Sequence, residues 1–547
     1  METNGGDDTV INTHVEVGCG NAQSVNPFMH DIGGLAKPPR LEITNVNRNS
    51  DVPTVVRIAR KEFSCAICGA GPSSMGFLFH AFKTGKLEEI ARNGLLVIDK
   101  RFELGSGKLG EYANVSGNTV GNTFLACLEH EKFEEVFGEL RDHPLYKRMV
   151  AVAEGPPSLS DAGELLALAT ERLLAYLTAR YDVTVLRGRE IDTIRRRQGG
   201  GFDIGYHDVT DPAVLNTVSS DTIVINLGGL QHVGEIDELC RGLQLPAPGA
   251  EIKTYVSDDV LSLTTAQLIE TFKAQFAQNG KRGPNRISVL GGSHSAFTVV
   301  DRLAMELGDA GLDEIAVIHR SPIRLFFETI EEARANGYAV NEAMDVCPVT
   351  KRVNRAGGLR YRAFDIARSI MANGHVPGAK PRVELIEADA SEVARSRAGD
   401  CLSESVAVVH GAGYGPNMSK LVDHWGVPIP LQLGQGGLVS DRFGCPFDTN
   451  GELVHGLFSF GLGSGFRPDE QIRRETGFEA AFRGRIYGVW AFHHDFGGRV
   501  LNGVLDALAT QDAHARSDAG DAQVQHLPDV SQLTTYGGTD LAVSAGG

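Results

Sequence analysis

The chain has 547 residues, of which 42% are hydrophobic, and it carries a formal net charge of −17. Its length allows two or three globular domains, and its acidic balance disfavours general attraction to nucleic acid or to an anionic membrane surface. The sequence shows neither an apolar run of the roughly 18 residues of a membrane span nor the basic start of a secretory signal. We therefore expect a cytoplasmic protein with small-molecule partners, without nucleic-acid or membrane partners, and we leave a homo-oligomer open.

In chain order, the N-terminal segment is rich in Asn, Gly and Asp without a sustained period, and we predict a flexible arm over 1–52. Alternating strands and helices follow. The first series is strand 57–68, helix 74–83, strand 94–99, helix 160–177 and strands 183–186, 201–206 and 222–229. The second series is helix 264–278, strand 287–290, helix 297–307, strand 314–320 and strand 405–414. The tail over 512–547 is rich in Ala, Gly, Asp and Ser, and we predict that it is flexible.

The same succession of strands and helices occurs twice, which predicts an α/β protein with two Rossmann-like dinucleotide-binding lobes. We expect the second lobe to be inserted into the first, with disordered termini. The alternative, two unrelated domains in tandem, would leave the glycine-rich segment 456–465 without a partner. The predicted units are the arm 1–52, the first part of the first lobe 53–260, the inserted lobe 261–404, the second part of the first lobe 405–511 and the tail 512–547.

The eight cysteines are spread along the chain, which is typical of reduced thiols rather than of a disulfide framework. Cys65 and Cys68 form a C-x-x-C inside the apolar strand 57–68, so we interpret them as buried strand residues. No second closely spaced pair stands elsewhere in the chain. This spacing argues against an enzyme that passes electrons through a dithiol.

The first glycine-rich loop lies in the segment Ser64-Cys-Ala-Ile-Cys-Gly-Ala-Gly-Pro-Ser-Ser-Met-Gly76. Glycine lets the backbone approach a pyrophosphate, and the following helix N-terminus supplies unpaired N–H groups. Gly69 suits the tight turn and Gly71 the close approach, while Asp99 ends the next strand where a carboxylate would accept hydrogen bonds from a ribose diol. This pattern predicts an FAD site. The residues assigned to it are Gly69, Gly71, Pro72, Ser73, Ser74, Asp99, Lys100, Gly461 and Leu462.

A second glycine-rich loop, Arg286-Ile-Ser-Val-Leu-Gly-Gly-Ser-His-Ser-Ala296, also joins an apolar strand to a helical pattern. Ser293 stands where the second diagnostic glycine is usual, so its hydroxyl and that of Ser295 are candidate phosphate donors. The next strand ends in His319-Arg320-Ser321, and an arginine with a hydroxyl suits a 2′-phosphate, which favours NADPH over NADH. The alternative is a solvent-facing loop arginine. The residues assigned to this site are Gly291, Gly292, Ser293, His294, Ser295, His319, Arg320 and Ser321.

The pair His493-His494, followed by Asp495, invites a metal interpretation. Adjacent side chains point in different directions, however, and no third ligand stands at a fixed spacing, so we predict no metal. No nucleophile elbow or acid pair stands out either. Bound cofactors would then carry the chemistry, and no catalytic side chain is assigned.

With these motifs the chain resembles the flavin-dependent, NADPH-consuming monooxygenases, in particular those that N-hydroxylate the primary amines of amino acids and diamines. The resemblance covers about residues 60–505. It rests on 69–74, Asp99, 291–296, Arg320 and the segment Gly411-Ala-Gly-Tyr414. It implies FAD and NADPH as cofactors, O2 as co-substrate, and oxygen transfer from a C4a-hydroperoxyflavin to a small amine that can be oxidised further.

Two departures from the family pattern bear on the substrate and on the ribityl contact of the flavin, respectively. The segment 102–112 replaces an aromatic-histidine stretch, and Leu462 stands where an aspartate is often found after the last glycine. If the resemblance holds, the substrate pocket runs along 108–122. Its candidate residues are Lys108, Asn114, Asn118 and Asn122. The alternative is that the three asparagines serve turns in a glycine-rich loop.

Two other functions stay open at this point. One is a flavin-dependent NAD(P)H oxidoreductase that passes electrons to a quinone, a disulfide or a protein. The other is a non-catalytic flavoprotein redox sensor, for which the degraded second glycine loop leaves room.

Overall fold

The computed structural model describes residues 62–279, 283–434, 437–466 and 496–524, with side chains up to residue 511. The predicted arm 1–52, the segment His493-His494-Asp495 and residues 525–547 lie outside these ranges. Within them, none of the helices combines the length and the apolarity of a membrane span. His, Cys, Asp and Glu side chains of these ranges do not gather in threes around a metal position.

Strands and helices alternate through most of the described chain. The strands are β1 (Glu62–Cys68), β2 (Leu95–Asp99), β3 (Val183–Arg187), β4 (Arg189–Arg196), β5 (Phe202–Asp208), β6 (Asp211–Ile225), β7 (Gly229–Leu230), β8 (Lys253–Val256), β9 (Arg286–Leu290), β10 (Glu314–His319), β11 (Arg382–Glu387), β12 (Ala407–His410), β13 (Gly415–Pro416), β14 (Lys420–Val422), β15 (Leu433–Gly434), β16 (Gly437–Leu438) and β17 (Leu457–Ser459). The helices are α1 (Pro72–Thr84), α2 (Leu87–Ile90), α3 (Gly121–Ala126), α4 (Glu134–Phe137), α5 (Pro144–Ala151), α6 (Leu159–Arg180), α7 (Glu235–Gly242), α8 (Ser257–Ser262), α9 (Thr265–Asn279), α10 (His294–Leu307), α11 (Ile330–Ala335), α12 (Glu342–Asp345), α13 (Tyr361–Asn373), α14 (Glu392–Ser403) and α15 (Gly497–Val524).

The first sheet has a parallel part in the order β17, β6, β1, β2, β3. Strand β1 reads as a continuous apolar run because helices α1, α6 and α15 cover one face, while a second apolar cluster covers the other. The long strand β6 also pairs antiparallel with β5, which extends the sheet through β4 to β14. The sequence pattern predicts only the buried half of this strand, 222–229, because the other half is exposed.

The second sheet is parallel throughout, in the order β11, β10, β9, β12, β8. Helices α8, α9, α10 and α13 pack on one face, and α7 and α14 pack on the other. Strand β8 begins at Lys253 and β12 ends at His410, so strands of this sheet lie on both sides of the predicted range 261–404. We therefore propose 253–410 as the bounds of the inserted lobe.

In both sheets the chain reverses its direction of travel at one point. In the first sheet it runs from β1 to β2 and β3 and then crosses to β6 on the other side of β1. In the second it runs from β9 to β10 and β11 and then crosses to β12 on the other side of β9. Open α/β sheets bind ligands at the carboxyl ends of the strands beside such a switch point. The loops that begin at Gly69 and Gly291 lie at these two positions.

Helix α15 differs from the predicted boundary at residue 511. Its N-terminal part packs Val500, Leu501 and Val504 into the core of the first lobe. The backbone helix then continues to Val524, so the first part of the predicted tail is helical. A helix that is nucleated by packing can propagate into a sequence that would not form a helix on its own.

Candidate cofactor and substrate site

The first glycine loop leaves room for a ligand. Gly69 has a φ of +89°, and a side chain there would overlap the carbonyl oxygen of Asn226. A Cβ on Gly71, by contrast, would meet nothing closer than the Cα of Gly107 at 3.8 Å. Helix α1 follows at once and has no side-chain cap, so its first backbone N–H groups face this space. The loop therefore fits the pyrophosphate of a dinucleotide.

Asp99 holds the loop from the end of β2. Its carboxylate accepts hydrogen bonds from the backbone N–H of Ala70 at 2.6 Å and of Arg101 at 2.8 Å. A carboxylate has about four acceptor positions, so two remain for a ribose diol. Lys100 is exposed and bonds with Glu190 at 3.3 Å, away from the loop.

Asn226 at the end of β6 joins the glycine loop to the segment after β17. Its Nδ2 donates to the hydroxyl of Ser74 at 2.9 Å, and its Oδ1 accepts from the backbone N–H of Phe460 at 3.2 Å. A Cβ on Gly461 would lie 2.9 Å from the hydroxyl of Ser73. The structure thus brings the predicted residues 69–74 and 461 together. Sequence reasoning did not single out Asn226, although its place after a buried strand and before two glycines was a usable signal.

A small cleft, partly open to solvent, lies beside this contact. It runs between the end of β6 and the segment after β17. Its lining includes Asn226, Leu227, Asn417, Phe460, Leu462 and Ser464. The predicted residue Leu462 therefore faces a space next to the first glycine loop.

The second glycine loop is packed more tightly by the protein itself. Gly291 has a φ of +132°, and a Cβ there would lie 2.6 Å from the carbonyl oxygen of Gly411. A Cβ on Gly292 would lie 2.8 Å from Ile323 and 3.0 Å from His319. Ser293 is the N-cap of α10 and makes no side-chain capping bond. The N–H groups of the first turn of α10 are thus the donors that this loop offers to an anion.

Both predicted histidines of the second site are neutral and bonded within the protein. His294 Nε2 accepts the backbone N–H of Arg360 at 3.1 Å, and burial, aided by the charge of Arg360, lowers the pKa of His294 to about 3. His319 Nδ1 donates to the carbonyl oxygen of Ser321 at 2.8 Å, and burial lowers its pKa as well. Neither ring supplies a positive charge. Arg320 is exposed at the end of β10, while Ser295 and Ser321 are half-buried.

Two buried arginines lie in the inserted lobe, and one of them, Arg360, bonds with His294 of this loop. Arg355 is 3% exposed, and its Nη1 donates to the sulfur of Cys347 at 3.4 Å. Its Nε and Nη2 have no hydrogen-bond partner among the described residues. Arg360 is 7% exposed, lies over the ring of Phe326 and donates through Nη2 to the carbonyl oxygen of Arg355. A buried guanidinium without a carboxylate is costly, so Arg355 is a candidate for binding an anion.

One polar contact between the two lobes is formed by four side chains, named here the junction cluster: Lys108, Tyr112, Asp258 and Tyr414. The carboxylate of Asp258 accepts hydrogen bonds from the hydroxyl of Tyr112 at 2.8 Å and from that of Tyr414 at 2.5 Å. Lys108 Nζ forms an ion pair with the same carboxylate. Burial raises the pKa of both tyrosines above the ordinary value, so their hydroxyls keep their protons at neutral pH.

The junction cluster touches the first lobe beside the segment after β17. A Cβ on Gly229 would lie 2.7 Å from the Cβ of Tyr414 and 2.9 Å from Leu462. Gln231 connects the segments that carry Asp258 and Tyr414. Its Oε1 accepts a hydrogen bond from the Ser257 hydroxyl at 2.8 Å, and its Nε2 donates one to the Gly413 carbonyl oxygen at 2.9 Å. The cluster therefore lies between the two glycine loops rather than at either one.

Of the predicted substrate candidates, the structure brings only Lys108 into the junction cluster. Asn114 is exposed and donates to the hydroxyl of Thr265 at 3.2 Å. Asn118 and Asn122 make no hydrogen bond with the cluster, and Asn122 is exposed on α3. Sequence reasoning missed Asp258 and Tyr112, and it noted Tyr414 only as part of a motif.

The chain was compared with known proteins. No family model matches it. It is 29% identical over 455 residues to the CMP-5'-(3-aminopropyl)phosphonate hydroxylase of Streptomyces rubellomurinus, an alignment that covers 82% of this chain and 99% of that protein.

Solved structures are similar at lower identity. The cadaverine monooxygenase DfoA of Erwinia amylovora, solved with FAD, has a TM-score of 0.48 and 12% identity, covering 82% of this chain and 94% of that one. The ornithine N-hydroxylase KtzI of Kutzneria sp. 744 has a TM-score of 0.45 and 14% identity, covering 81% and 99%.

Proposed function

We propose that this chain is a flavin-dependent N-hydroxylating monooxygenase that uses NADPH and O2 to hydroxylate the primary amine of a small molecule such as an amino acid or a diamine. The observation that carries the proposal is the geometry of two Rossmann-like lobes, each with a glycine loop at its switch point, that meet at one polar junction. The relationship with a hydroxylase along 99% of that protein supports it. The enzyme is thus an FAD- and NADPH-dependent oxidoreductase.

The first lobe holds FAD. The open backbone at Gly71 and the N-terminus of α1 take the pyrophosphate, and the remaining acceptor positions of Asp99 take the ribose. Asn226 keeps the glycine loop and the segment at Gly461 in register, so that Leu462 lies on the side of the flavin end.

The inserted lobe holds NADPH. The first turn of α10 after Ser293 takes the pyrophosphate. Arg320 and Ser321 stand at the end of β10, where the adenosine ribose of a dinucleotide is bound in such folds. The buried guanidinium of Arg355 adds a second positive charge in this lobe.

FAD reduced by NADPH supplies the activation of O2, and the chain supplies position and shielding. The amine must lie near the flavin end, out of bulk water, and the junction cluster is the polar group of side chains at that place. The relative's named substrate contains a primary amine on a three-carbon arm. The substrate of this chain is accordingly a molecule with a primary amine on a short alkyl arm.

The experiment starts with the flavin content of the purified protein. NADPH oxidation and H2O2 release are then measured without amine and with 3-aminopropylphosphonate, its CMP ester, ornithine, lysine and cadaverine, and products are examined by mass spectrometry. We expect a yellow protein and an added oxygen on at least one amine. We also expect less H2O2 for each NADPH consumed when that amine is present.

A protein that binds no flavin, or one that oxidises NADPH without oxygenating any amine of this panel, would contradict the proposal. In the second case an electron acceptor such as a quinone becomes the better assignment. A dithiol acceptor is disfavoured by the structure, because Cys65 and Cys68 are fully buried in β1 and burial raises the pKa of Cys65 to about 12.

A further inference from the structure

Asp258 is a buried carboxylate whose hydrogen bonds are almost complete. Its side chain is 9% exposed, and Tyr112, Tyr414 and Lys108 all donate to it. A buried carboxylate needs a counter-charge, because removal from water is otherwise costly. The two tyrosines are neutral donors and do not provide one. The counter-charge comes from Lys108.

The two members of this ion pair differ in mobility. The side chain of Lys108 is 41% exposed, whereas that of Asp258 is 9% exposed. Asp258 is held by two hydroxyls and by the backbone of α8, while Lys108 reaches it on a flexible four-carbon arm. The ammonium of Lys108 is strongly hydrated when it is exposed to water. It can leave for water if another cation takes its place.

The position of the pair matches that of the amine in the proposed reaction. Lys108 follows Gly107, which packs against Pro72 of the first glycine loop. Tyr414 packs against Gly229 beside Leu462 on the flavin side. Asp258 follows the carboxyl end of β8, in the inserted lobe. The carboxylate is therefore the fixed negative charge at the place where the two lobes meet.

Resting on the proposed function, we propose that Asp258 binds the ammonium group of the substrate, that Lys108 occupies this position when no amine is bound, and that the proton the amine must lose before its lone pair reacts passes to the Asp258 carboxylate. Lys108 is itself a primary ammonium on an alkyl arm, which is the chemical class that the site accepts. Exchange of one ammonium for the other leaves the net charge of the junction cluster unchanged. Tyr112 and Tyr414 orient the carboxylate through the exchange. Neutral alcohols of the same length are excluded because they would leave Asp258 without a counter-charge.

The test measures amine binding without turnover. Oxidised, FAD-loaded protein is titrated with cadaverine by calorimetry and by the flavin difference spectrum, and 1,5-pentanediol serves as the neutral probe. Cadaverine has no anionic group, so Lys108 cannot attract it directly. We expect saturable binding of cadaverine and none of the diol. We expect Asp258→Asn to weaken the binding of cadaverine at least about tenfold. We expect Lys108→Met to strengthen it a few-fold, because the competing ammonium is gone.

Asp259→Asn is the matched control. Asp259 lies in the same helical turn and is half-buried, but it does not contact the junction cluster. We expect the affinity of the Asp259→Asn variant for cadaverine to stay within about twofold of that of the wild type. A measurement of stability completes the set: cadaverine should raise the Tm of Lys108→Met by more than that of the wild type, since a ligand that binds only the folded state stabilises it.

The opposite signs of the two substitutions separate an ammonium site from a simple contact between lobes. The inference is wrong if Asp258→Asn and Lys108→Met both weaken the binding of cadaverine. It is also wrong if the affinity of Asp258→Asn for cadaverine stays within twofold of that of the wild type. It is also overturned if none of the amines binds the wild type. Should Asp258→Asn fail to fold, the affinity and Tm of Lys108→Met decide.

Failure of this inference and failure of the proposed function give different results. If Asp258→Asn abolishes cadaverine binding but no amine is oxygenated by the wild type, Asp258 is an amine site and the proposed reaction is wrong. If amines are oxygenated with an unchanged KM in Asp258→Asn, the reaction stands and the inference is wrong.

Discussion

The two nucleotide lobes are built on one topology but treat their glycine loops differently. The strand order β17-β6-β1-β2-β3 in the first lobe has the same form as β8-β12-β9-β10-β11 in the second. The N–H of Gly69 donates to the carbonyl of Ile98 at 2.8 Å, and that of Gly291 donates to the carbonyl of Ile318 at 2.9 Å. The same backbone hydrogen bond thus holds the turn at the start of each glycine loop.

The side chains at the strand ends are what differ. After β2 the first lobe has the carboxylate of Asp99, whereas after β10 the second has the neutral, buried ring of His319. After β6 the first lobe has the amide of Asn226, whereas after β12 the second has Gly411. We propose that the topology sets where a dinucleotide lies and that these few positions set which one is bound.

The largest effect is expected from Gly71→Ala. The added methyl meets no protein atom closer than 3.8 Å, so the fold should be kept, but it fills the space of the pyrophosphate. We expect FAD binding to fall by at least about tenfold, with the Tm of the flavin-free protein little changed. Gly155→Ala, where a Cβ meets nothing within 4 Å, is the control and should retain its flavin. Loss of fold in Gly71→Ala would show that this glycine is needed for packing instead.

Asp99→Asn tests the polar side of the first lobe. The amide keeps one acceptor but loses the charge that strengthens the bonds from Ala70 and Arg101. Hydrogen bonds to a charged group contribute about 1.5–3 kcal/mol each, so we expect FAD affinity to fall about tenfold and the flavin-free protein to be less stable. Flavin release during thermal unfolding measures both. Unchanged FAD affinity would remove Asp99 from the site.

Arg355→Met tests whether the second lobe binds its nucleotide through buried cations, where the first lobe uses the carboxylate of Asp99. Without NADPH the substitution removes a buried charge that lacks a carboxylate, so we expect the Tm of the NADPH-free protein to rise. With NADPH we expect about a tenfold higher KM and a smaller rise in Tm on adding the nucleotide. Arg320→Met is the comparison, and its effect should be greater for NADPH than for NADH. Equal stabilisation of Arg355→Met and wild type by NADPH would contradict the assignment.

The effect that is smallest near neutral pH concerns acid. The pKa of His294 is lowered to about 3 by burial and by Arg360, and that of His319 is lowered by burial. Below about pH 6.5 the unfolded chain takes up protons that the folded chain does not, so the free energy of unfolding decreases by about 1.4 kcal/mol per pH unit for each such histidine. The loss continues until the folded pKa is reached.

His294→Gln should flatten this dependence between about pH 6 and 4. The measurement is the Tm as a function of pH, with His424→Gln, an exposed histidine outside the two glycine loops, as the control. If the slope of His294→Gln equals that of the wild type, His294 does not titrate as the buried contacts indicate.

The fold was predictable wherever the signal is local. The apolar runs of β1, β2 and β9 and the glycines that follow them lie within a few residues of one another, so sequence pattern alone predicts two lobes. The boundaries of the inserted lobe were harder to predict, because the strands at its two ends, β8 and β12, have only four residues each.

The junction cluster could not be predicted in this way. Asp258 lies 146 residues from Tyr112 and 156 residues from Tyr414, and only the packing of one lobe against the other brings them together. The burial of Arg355 could not be predicted from the sequence either. A charged residue in a loop is expected to be exposed, and its burial follows from the segments that fold over it.

The inserted lobe enters and leaves the first lobe through neighbouring strands. Lys253 of β8 pairs with Ala407 of β12, three residues before the exit at His410, so the ends of the insertion lie on neighbouring strands about 10 Å apart along the strand direction. A unit with adjacent ends can be exchanged between related chains as a cassette, since closing the break requires little extra chain. Asp258 lies inside that cassette. A swap of 253–410 would therefore carry the choice of amine along with the choice of reductant, and the two specificities would be inherited together.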